Sequence, residues 1–300
     1  MNLLQNLILT AIVLAFAAVE IGTRSHRRYK ATRDDTRLDL YATLLLALVQ
    51  PLIFAIVAKL CTLAMPGQRD AWAHLPWWAM GAALLLGDDL TQYLWHRASH
   101  SPLLWPLHRA HHTPHYMSIR ITYRNNLFYW VMLPGFWISG VLVYLGLGNA
   151  YLVYLTLKLT IIMAAHSAVP WDAPLYRIKA LAPLAWVLER TISTPATHQA
   201  HHALADDDGI GHYKGNFGNM LFAWDVLFGT AKITRRYPAR VGLRDDLAFG
   251  KERWFVELLY PVFQSKRAHS ALVRGDRARA GDQTSGETHE RPAPAPATNA

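Results

Sequence analysis

Five stretches of the chain are apolar for close to the twenty residues that a membrane-spanning helix needs. They are Leu3–Ile21, Leu40–Met65, Leu75–Trp95, Leu127–Leu147 and Ala150–Ala168. The second is long enough to tilt, or to bend at Pro51. The third stays apolar until Asp88 and Asp89, and the fifth is interrupted by Lys158 and His166. GLGN at 146–149 is a turn signal and makes the last two stretches a hairpin. Past them, Leu175–Ile192 alternates as an amphipathic helix that Pro183 would bend. It reads equally as a helix lying on a membrane surface or as an ordinary core helix. From Lys266 the composition turns to Arg, Ala, Gly and Pro, which cannot bury a core, so this tail is expected to be disordered.

Composition agrees with a chain built for lipid. Hydrophobic residues make up 52% and charged residues 17% of the 300, below the charge fraction of soluble chains. The net charge of +9, together with eleven Trp and thirteen Tyr in an apolar chain, points to a membrane partner and not to nucleic acid. A single cysteine, Cys61, excludes an internal disulfide and any multi-cysteine metal site. Lys and Arg cluster after the first stretch (Arg24, Arg27, Arg28, Lys30, Arg33, Arg37) and after the third (Arg97, Arg109, Arg120, Arg124). The loop after the second has only Arg69, and the turn after the fourth has none. The positive-inside rule then puts the N-terminus outside and the segments after stretches one, three and five in the cytosol.

The unusual residue is histidine, fifteen in all. HRASH carries His96 and His100; HRAHH carries His108, His111 and His112; HQAHH carries His198, His201 and His202. His166 stands alone, and His212 follows the last cluster. Residues three or four apart share a helix face, so each cluster can aim two rings at one point. Neutral imidazole is the usual nitrogen ligand of iron, zinc, copper and nickel. An H-x-x-H-H window arises by chance about once in 10⁴ positions at this histidine content, and here there are two. Eight or nine ligands exceed what one ion takes, so two metals are expected. His26, His74, His269 and His289 are isolated and read as surface residues. All the clusters fall on the predicted cytosolic side.

The string DLTQYLWHRASH (89–100) resembles the opening motif of the fatty acid hydroxylase and sterol desaturase superfamily. LHRAHH (107–112) and STPATHQAHH (193–202) resemble its second and third histidine boxes, and NFGNMLFAWDVLFGT (216–230) its closing motif. The resemblance runs over about residues 75–235. It implies an all-α, integral membrane bundle of four to five spans with a cytosolic, His-rich helical cap holding a di-metal site. It divides the chain into an anchor region (1–74), a catalytic domain (75–265) and the tail (266–300). It also implies a non-haem di-iron oxygenase that hydroxylates or desaturates lipid C–H bonds with O₂ and two electrons.

Carried over, the metal ligands are His96, His100, His108, His111, His112, His166, His198, His201 and His202. Some relatives carry a further His where this chain has Pro170, so His212, Asn216 or a water would complete the shell. Asp89, seven residues before His96, and Asp225 are candidates to hold a ligand's second ring nitrogen. Two iron ions are the implied cofactor, with zinc able to take their place on isolation. No dinucleotide fingerprint or iron–sulfur cysteine set is present, so electrons come from a separate ferredoxin- or cytochrome-type donor with its reductase. A carotenoid- or sterol-specific enzyme fits the same motifs. A metal transporter or a haem-based electron carrier are competing classes, and both fit less well. Tail composition and the lack of a retention signal favour a bacterial inner membrane.

Overall fold

The computed structural model describes residues 3–28, 30–267 and 270–272. Most of the 266–300 tail, with His269 and His289, lies outside these residues. Among the described residues the secondary structure is helical, and the only β pairing is two isolated bridges, Ile192 with Leu221 and Ala203 with Val241.

Helix α1 (Leu3–Gly22) ends on Glu20, whose buried carboxylate accepts from Ser118 Oγ, the Ile119 amide and the Ala168 amide. It therefore ties the end of the first helix to two loops beside the histidines. Helix α2 (Arg33–Ala64) opens with a capping box, Thr32 with Asp35, and runs unbroken through Pro51. Leu38, Ala42, Val49, Ile53, Val57 and Cys61 are buried on one side. Leu40, Leu44, Leu48, Leu52, Ile56 and Leu60 form an exposed stripe on the other. An apolar stripe open along a helix of this length fits hydrocarbon as solvent. Two stretches, Arg33–Ala64 and Pro134–His166, are long and apolar enough to cross a membrane.

The predicted third stretch begins at α3 (Trp77–Leu84), passes through a π-helical turn (Leu85–Leu90) and continues as α4 (Thr91–Ser99). The predicted fourth stretch is not one helix. It breaks between α6 (Leu127–Met132) and α7 (Pro134–Leu142), because a residue before proline is pushed out of the α region, and Leu133 sits at φ −61, ψ 109. The turn to α8 (Gly148–His166) is made at Gly146 with φ 112, a conformation natural only to glycine. Leu175–Ile192 is likewise broken, into α9 (Ala173–Arg177), a short 3₁₀ turn and α10 (Ala182–Thr191). Pro183 does not bend a helix there; it starts one, as its missing N–H allows in a first turn.

The α3–α4 rod packs against both α7 and α8, α2 packs along α7, and α1 lies against α8. Helix α5 (Trp105–His112) is held from behind by charge. Arg109, buried between two of its histidines, pairs with Asp246 of α13 (Arg244–Phe249) and Glu257 of α14 (Trp254–Leu259). Arg124, fully buried, pairs with Asp35 at 2.9 Å and Asp39 at 2.6 Å on α2 and also donates to Thr113 and Tyr116. These ions are stable in the interior because each is matched. Replacing Arg124 by Met is expected to leave Asp35 with only Lys251 and Asp39 with only Arg120, and to cost about 3 kcal/mol, read as a fall in the thermal midpoint of the detergent-solubilised protein.

Candidate metal centre

Nine histidines from four helices meet in the interior. His96 lies on α4 with His100 capping its end, and His108, His111 and His112 lie on α5. His166 ends α8. His198 and His201 lie on α11 (Pro195–His201), with His202 as its C-cap. Helix α11 is started by a second capping box, Thr194 with Thr197, followed by Pro195 in the first turn. Asp172 adds to it by accepting the Ala196 amide at 2.9 Å.

The nine rings divide into two groups. His96, His100, His108, His112 and His201 form one, and His111, His166, His198 and His202 form the other. Within each group the ligand nitrogens lie within 4.8 Å of one another. The groups touch: the His112 and His202 rings stack at 4.3 Å.

The hydrogen bonds fix which nitrogen is free. His96 Nδ1 donates to the Phe217 carbonyl and His201 Nδ1 to the Gly215 carbonyl, each at 2.7 Å. His166 Nδ1 donates to the Ile162 carbonyl at 2.8 Å. His108 Nδ1 is held by Asn125 Oδ1 at 2.9 Å. A carbonyl can only accept, so these Nδ1 atoms carry the ring proton and the Nε2 atoms present bare lone pairs. Yet His96 Nε2 and His201 Nε2 face each other at 3.1 Å. Two opposed lone pairs repel unless a cation lies between them. Nitrogens each about 2.1 Å from one ion stand about 3 Å apart, so the spacing suits a shared metal. His166 Nε2 lies 2.9 Å from His198 Nε2, which can donate to it because His198 Nδ1 is unengaged. In addition, the buried His100 Nε2, His111 Nδ1 and His198 Nδ1 have no hydrogen-bond partner.

The rings are neutral. Burial first, then the mutual repulsion of neighbouring rings, pushes His108, His111, His112, His198, His201 and His202 well below the usual imidazole range. Neutral imidazole is the form that binds metal.

Residues 215–218 act as a brace. The carbonyls of Gly215 and Phe217 hold His201 and His96 from either side of Asn216, which takes φ +56. Asp225, on α12 (Ala223–Leu227), accepts from the Phe217 amide at 2.8 Å, the Gly218 amide at 2.6 Å and Thr230 Oγ1 at 2.6 Å. A Cβ at Gly218 would fall 2.8 Å from Asp225 Oδ2, so this approach needs glycine. Asp225 thus holds a ligand histidine through one peptide unit.

Three expected roles are corrected. Asp89 does not reach a ring: it accepts from Trp224 Nε1 at 2.8 Å and the Leu221 amide at 3.3 Å. Asp89 lies near the end of the π turn, and α12 and the loop before it take up its carboxylate in place of a ring. His212 Nε2 is engaged by the Thr230 carbonyl at 3.1 Å and joins neither group. Asn216 donates to the Thr197 and Lys232 carbonyls and accepts the Lys232 amide, so it pins the loop and offers no ligand. Two residues that sequence reasoning missed are Asn125 and Thr194. The Thr-Pro start of α11 was a readable capping signal, whereas nothing local marks Asn125.

A cavity opens off the two groups. Its wall includes His96, His108, His111 and His166, and beyond them mainly apolar and aromatic side chains of α1, α2, α6, α7 and α8.

Two groups of buried imidazoles, from the three boxes and His166, border one cavity, and each could hold a metal ion. Residues 81–230, half of the chain, match the family model for fatty acid hydroxylases, and the chain belongs to that family. The fatty acid hydroxylase vlmA of Lecanicillium sp is 30% identical over 227 residues, which is 68% of this chain and 56% of that protein. The chain therefore spans a little over half the length of that relative. No solved structure matches it.

Two outcomes are expected. Asp225→Ala should weaken metal binding about 10- to 100-fold in a chelator titration, while Asp89→Asn leaves it near wild type. In metal-free protein the unfolded chain takes up protons below about pH 6.5 that the folded cluster excludes. Stability is then full above that pH and is lost as the pH falls. The thermal midpoint of chelated protein should drop steadily from about pH 7 to pH 5, and a flat profile would mean solvated rings.

Proposed function

We propose that this protein is a membrane-bound, non-haem di-iron oxygenase that hydroxylates or desaturates a C–H bond of a lipid. The observation that carries the reading is the pair of neutral imidazole groups opening onto one apolar cavity. His96, His100, His108, His112 and His201 would hold one ion, and His111, His166, His198 and His202 the other. Nitrogen-rich ligation of this kind suits redox iron. Bound iron would supply the conversion of O₂ and two electrons into an oxidant able to attack an inert methylene.

The overall change for hydroxylation is R–H + O₂ + 2 e⁻ + 2 H⁺ → R–OH + H₂O. Desaturation takes the same oxidant and electrons and releases two waters. The side chains themselves undergo no covalent step. Their part is to fix the two ions through Nδ1 bonds to carbonyls, to exclude water by burial, and to align one carbon of the substrate in the cavity. A fatty acyl chain, a sterol-like lipid or a carotenoid would enter sideways from the bilayer. A separate ferredoxin- or cytochrome-type protein with its reductase would supply electrons. The four to five spans, the cytosolic cap and the bacterial inner membrane belong to the same proposal and rest on the Lys/Arg distribution and on composition.

Elemental analysis of detergent-purified protein tests the reading. About two irons per chain are expected, falling to near zero in the double variant His111→Ala/His201→Ala, which takes one ligand from each group. A folded protein with no bound metal would overturn it. Iron with no oxidised lipid product would remove the oxygenase function while leaving the site.

A further inference from the structure

Helix α1 is held unevenly along its length. At its C-terminal end the buried Glu20 accepts from Ser118 Oγ at 2.7 Å, the Ile119 amide at 3.1 Å and the Ala168 amide at 2.8 Å. Among the described side chains of α1 no other is buried. Leu9, Ile12, Val13, Phe16 and Ala17 pack, half-buried, against Ile119, Leu159 and Met163. Leu7, Leu14, Val19 and Ile21 are exposed.

Packing of that kind is weak in a bilayer. Lipid tails are as apolar as leucine, so these side chains gain little by leaving lipid for α8. Spans that pair tightly use small residues or hydrogen bonds across the interface. Of the five packed residues only Ala17 is small, and none has a polar side-chain atom. Helix α1 is thus pinned at one end and loosely laid along the rest, as the moving elements that cover binding sites are.

The loose part covers the cavity beside the histidines. Leu9 lines that cavity with Leu46 and Gln50 of α2 and Leu155 and Leu159 of α8. Helix α1 lies along α8, and α2 along α6 and α7; neither lies along the other. Thr43 and Ala47 share a face of α2 with Leu46 and Gln50, by their spacing of three and four residues. Both are exposed. The side of α2 that borders the cavity therefore continues as open surface. Leu44 and Leu48 of the exposed stripe adjoin it, so hydrocarbon reaches it from the bilayer. Against α7, by contrast, α2 is closed: a Cβ at Gly140 would fall 3.1 Å from Val57.

Leu9 stands eleven residues from Glu20, about 16 Å along the helix. A tilt of about 20°, ordinary for a span, turned about Glu20 carries Leu9 about 6 Å. That is roughly the width of a methylene chain. Resting on the reading above that a lipid occupies this cavity, we propose that the lipid enters through the seam between α1 and α2. Helix α1 is the moving side of the seam and turns on Glu20; α2 is the fixed side.

Two measurements test this on the full chain as isolated, in phosphatidylcholine nanodiscs, with Cys61→Ser removing the native thiol. The first reads motion. Spin labels are placed on α8 at Leu157→Cys and on α1 at Leu7→Cys, Leu14→Cys or Val19→Cys, all exposed positions. Pulsed dipolar distances should be narrowest for Val19, wider for Leu14 and about twofold wider or more for Leu7, in step with the distance from Glu20. Equal widths would overturn the hinge. Widening at Leu7 alone would do the same, since it reports only a fraying helix end.

The second reads entry. Leu133 lines the cavity and is 1% exposed, so the thiol of Leu133→Cys is reached from the cavity. N-dodecylmaleimide delivered from the bilayer is expected to alkylate it. Ala47→Trp fills the seam from the fixed side and should slow alkylation about tenfold or more. Leu52→Trp, on an exposed face of α2 turned away from the seam, should leave the rate within about twofold. Leu155→Cys is a second reporter on the cavity wall if Leu133→Cys folds poorly. Slowing by both tryptophans alike, or by neither, would overturn the portal. Neither measurement reads turnover. If both succeed in protein that oxidises no lipid, the portal stands and the oxygenase reading fails.

Discussion

The structure depends on keeping nine imidazoles dry and unprotonated with their bare nitrogens turned on one another. Opposed lone pairs about 3 Å apart are repulsive in the metal-free chain, as at His96 with His201. Protonation would relieve the repulsion, but burial opposes charge. The remaining escape is to rotate a ring, and that is blocked for four of them by an acceptor fixed behind Nδ1. Three of these acceptors are backbone carbonyls, at Ile162, Gly215 and Phe217, which cannot move without the chain moving. Backbone thus holds these rings with their Nε2 atoms turned toward the other histidines.

Much of the rest of the fold explains how such a cluster is held. Helix α5 carries three histidines on one side and is anchored on the other by Arg109 to Asp246 and Glu257. Arg124 and Asn125 are neighbours in sequence with linked duties: the first locks the loop after α5 to α2, and the second holds His108. Glu20 draws the end of α1 against the loop that follows His166. Asp225 stiffens the brace of residues 215–218. Buried charges of this kind add little net stability compared with apolar packing, but they are directional, and direction is what a metal site requires.

The anchors also separate the interior into two polar levels with apolar wall between them. The histidines occupy the upper level, on α4, α5, α8 and α11. Asp88 and Lys158 occupy the lower level, between the α3–α4 rod and α8, in a region otherwise apolar.

The amino-acid sequence by itself determined the helical character, the apolar stretches, the hairpin turn at Gly146 and the three histidine boxes. Each of these is local: a 3.6-residue period, a glycine that alone tolerates its φ, and i to i+4 spacing that puts rings on one face. Proline misled in both directions: Pro183, read as bending a helix, begins one, and Pro134, inside a stretch read as continuous, ends α6 and begins α7. Only the tertiary structure decided how nine rings divide into a group of five and a group of four, because His96 and His201 are brought together across 105 positions of chain. It also decided that Asp225 and Asn216 support the site through the 215–218 loop, while Asp89 and His212 reach no ring of either group. Packing of α12 against the π turn engages Asp89 with Trp224, and loop geometry turns His212 and Asn216 to backbone. The partner of Lys158 was out of reach for the same reason. Asp88 lies seventy residues away, and no local rule pairs two residues on helices whose packing is set by everything else in the chain.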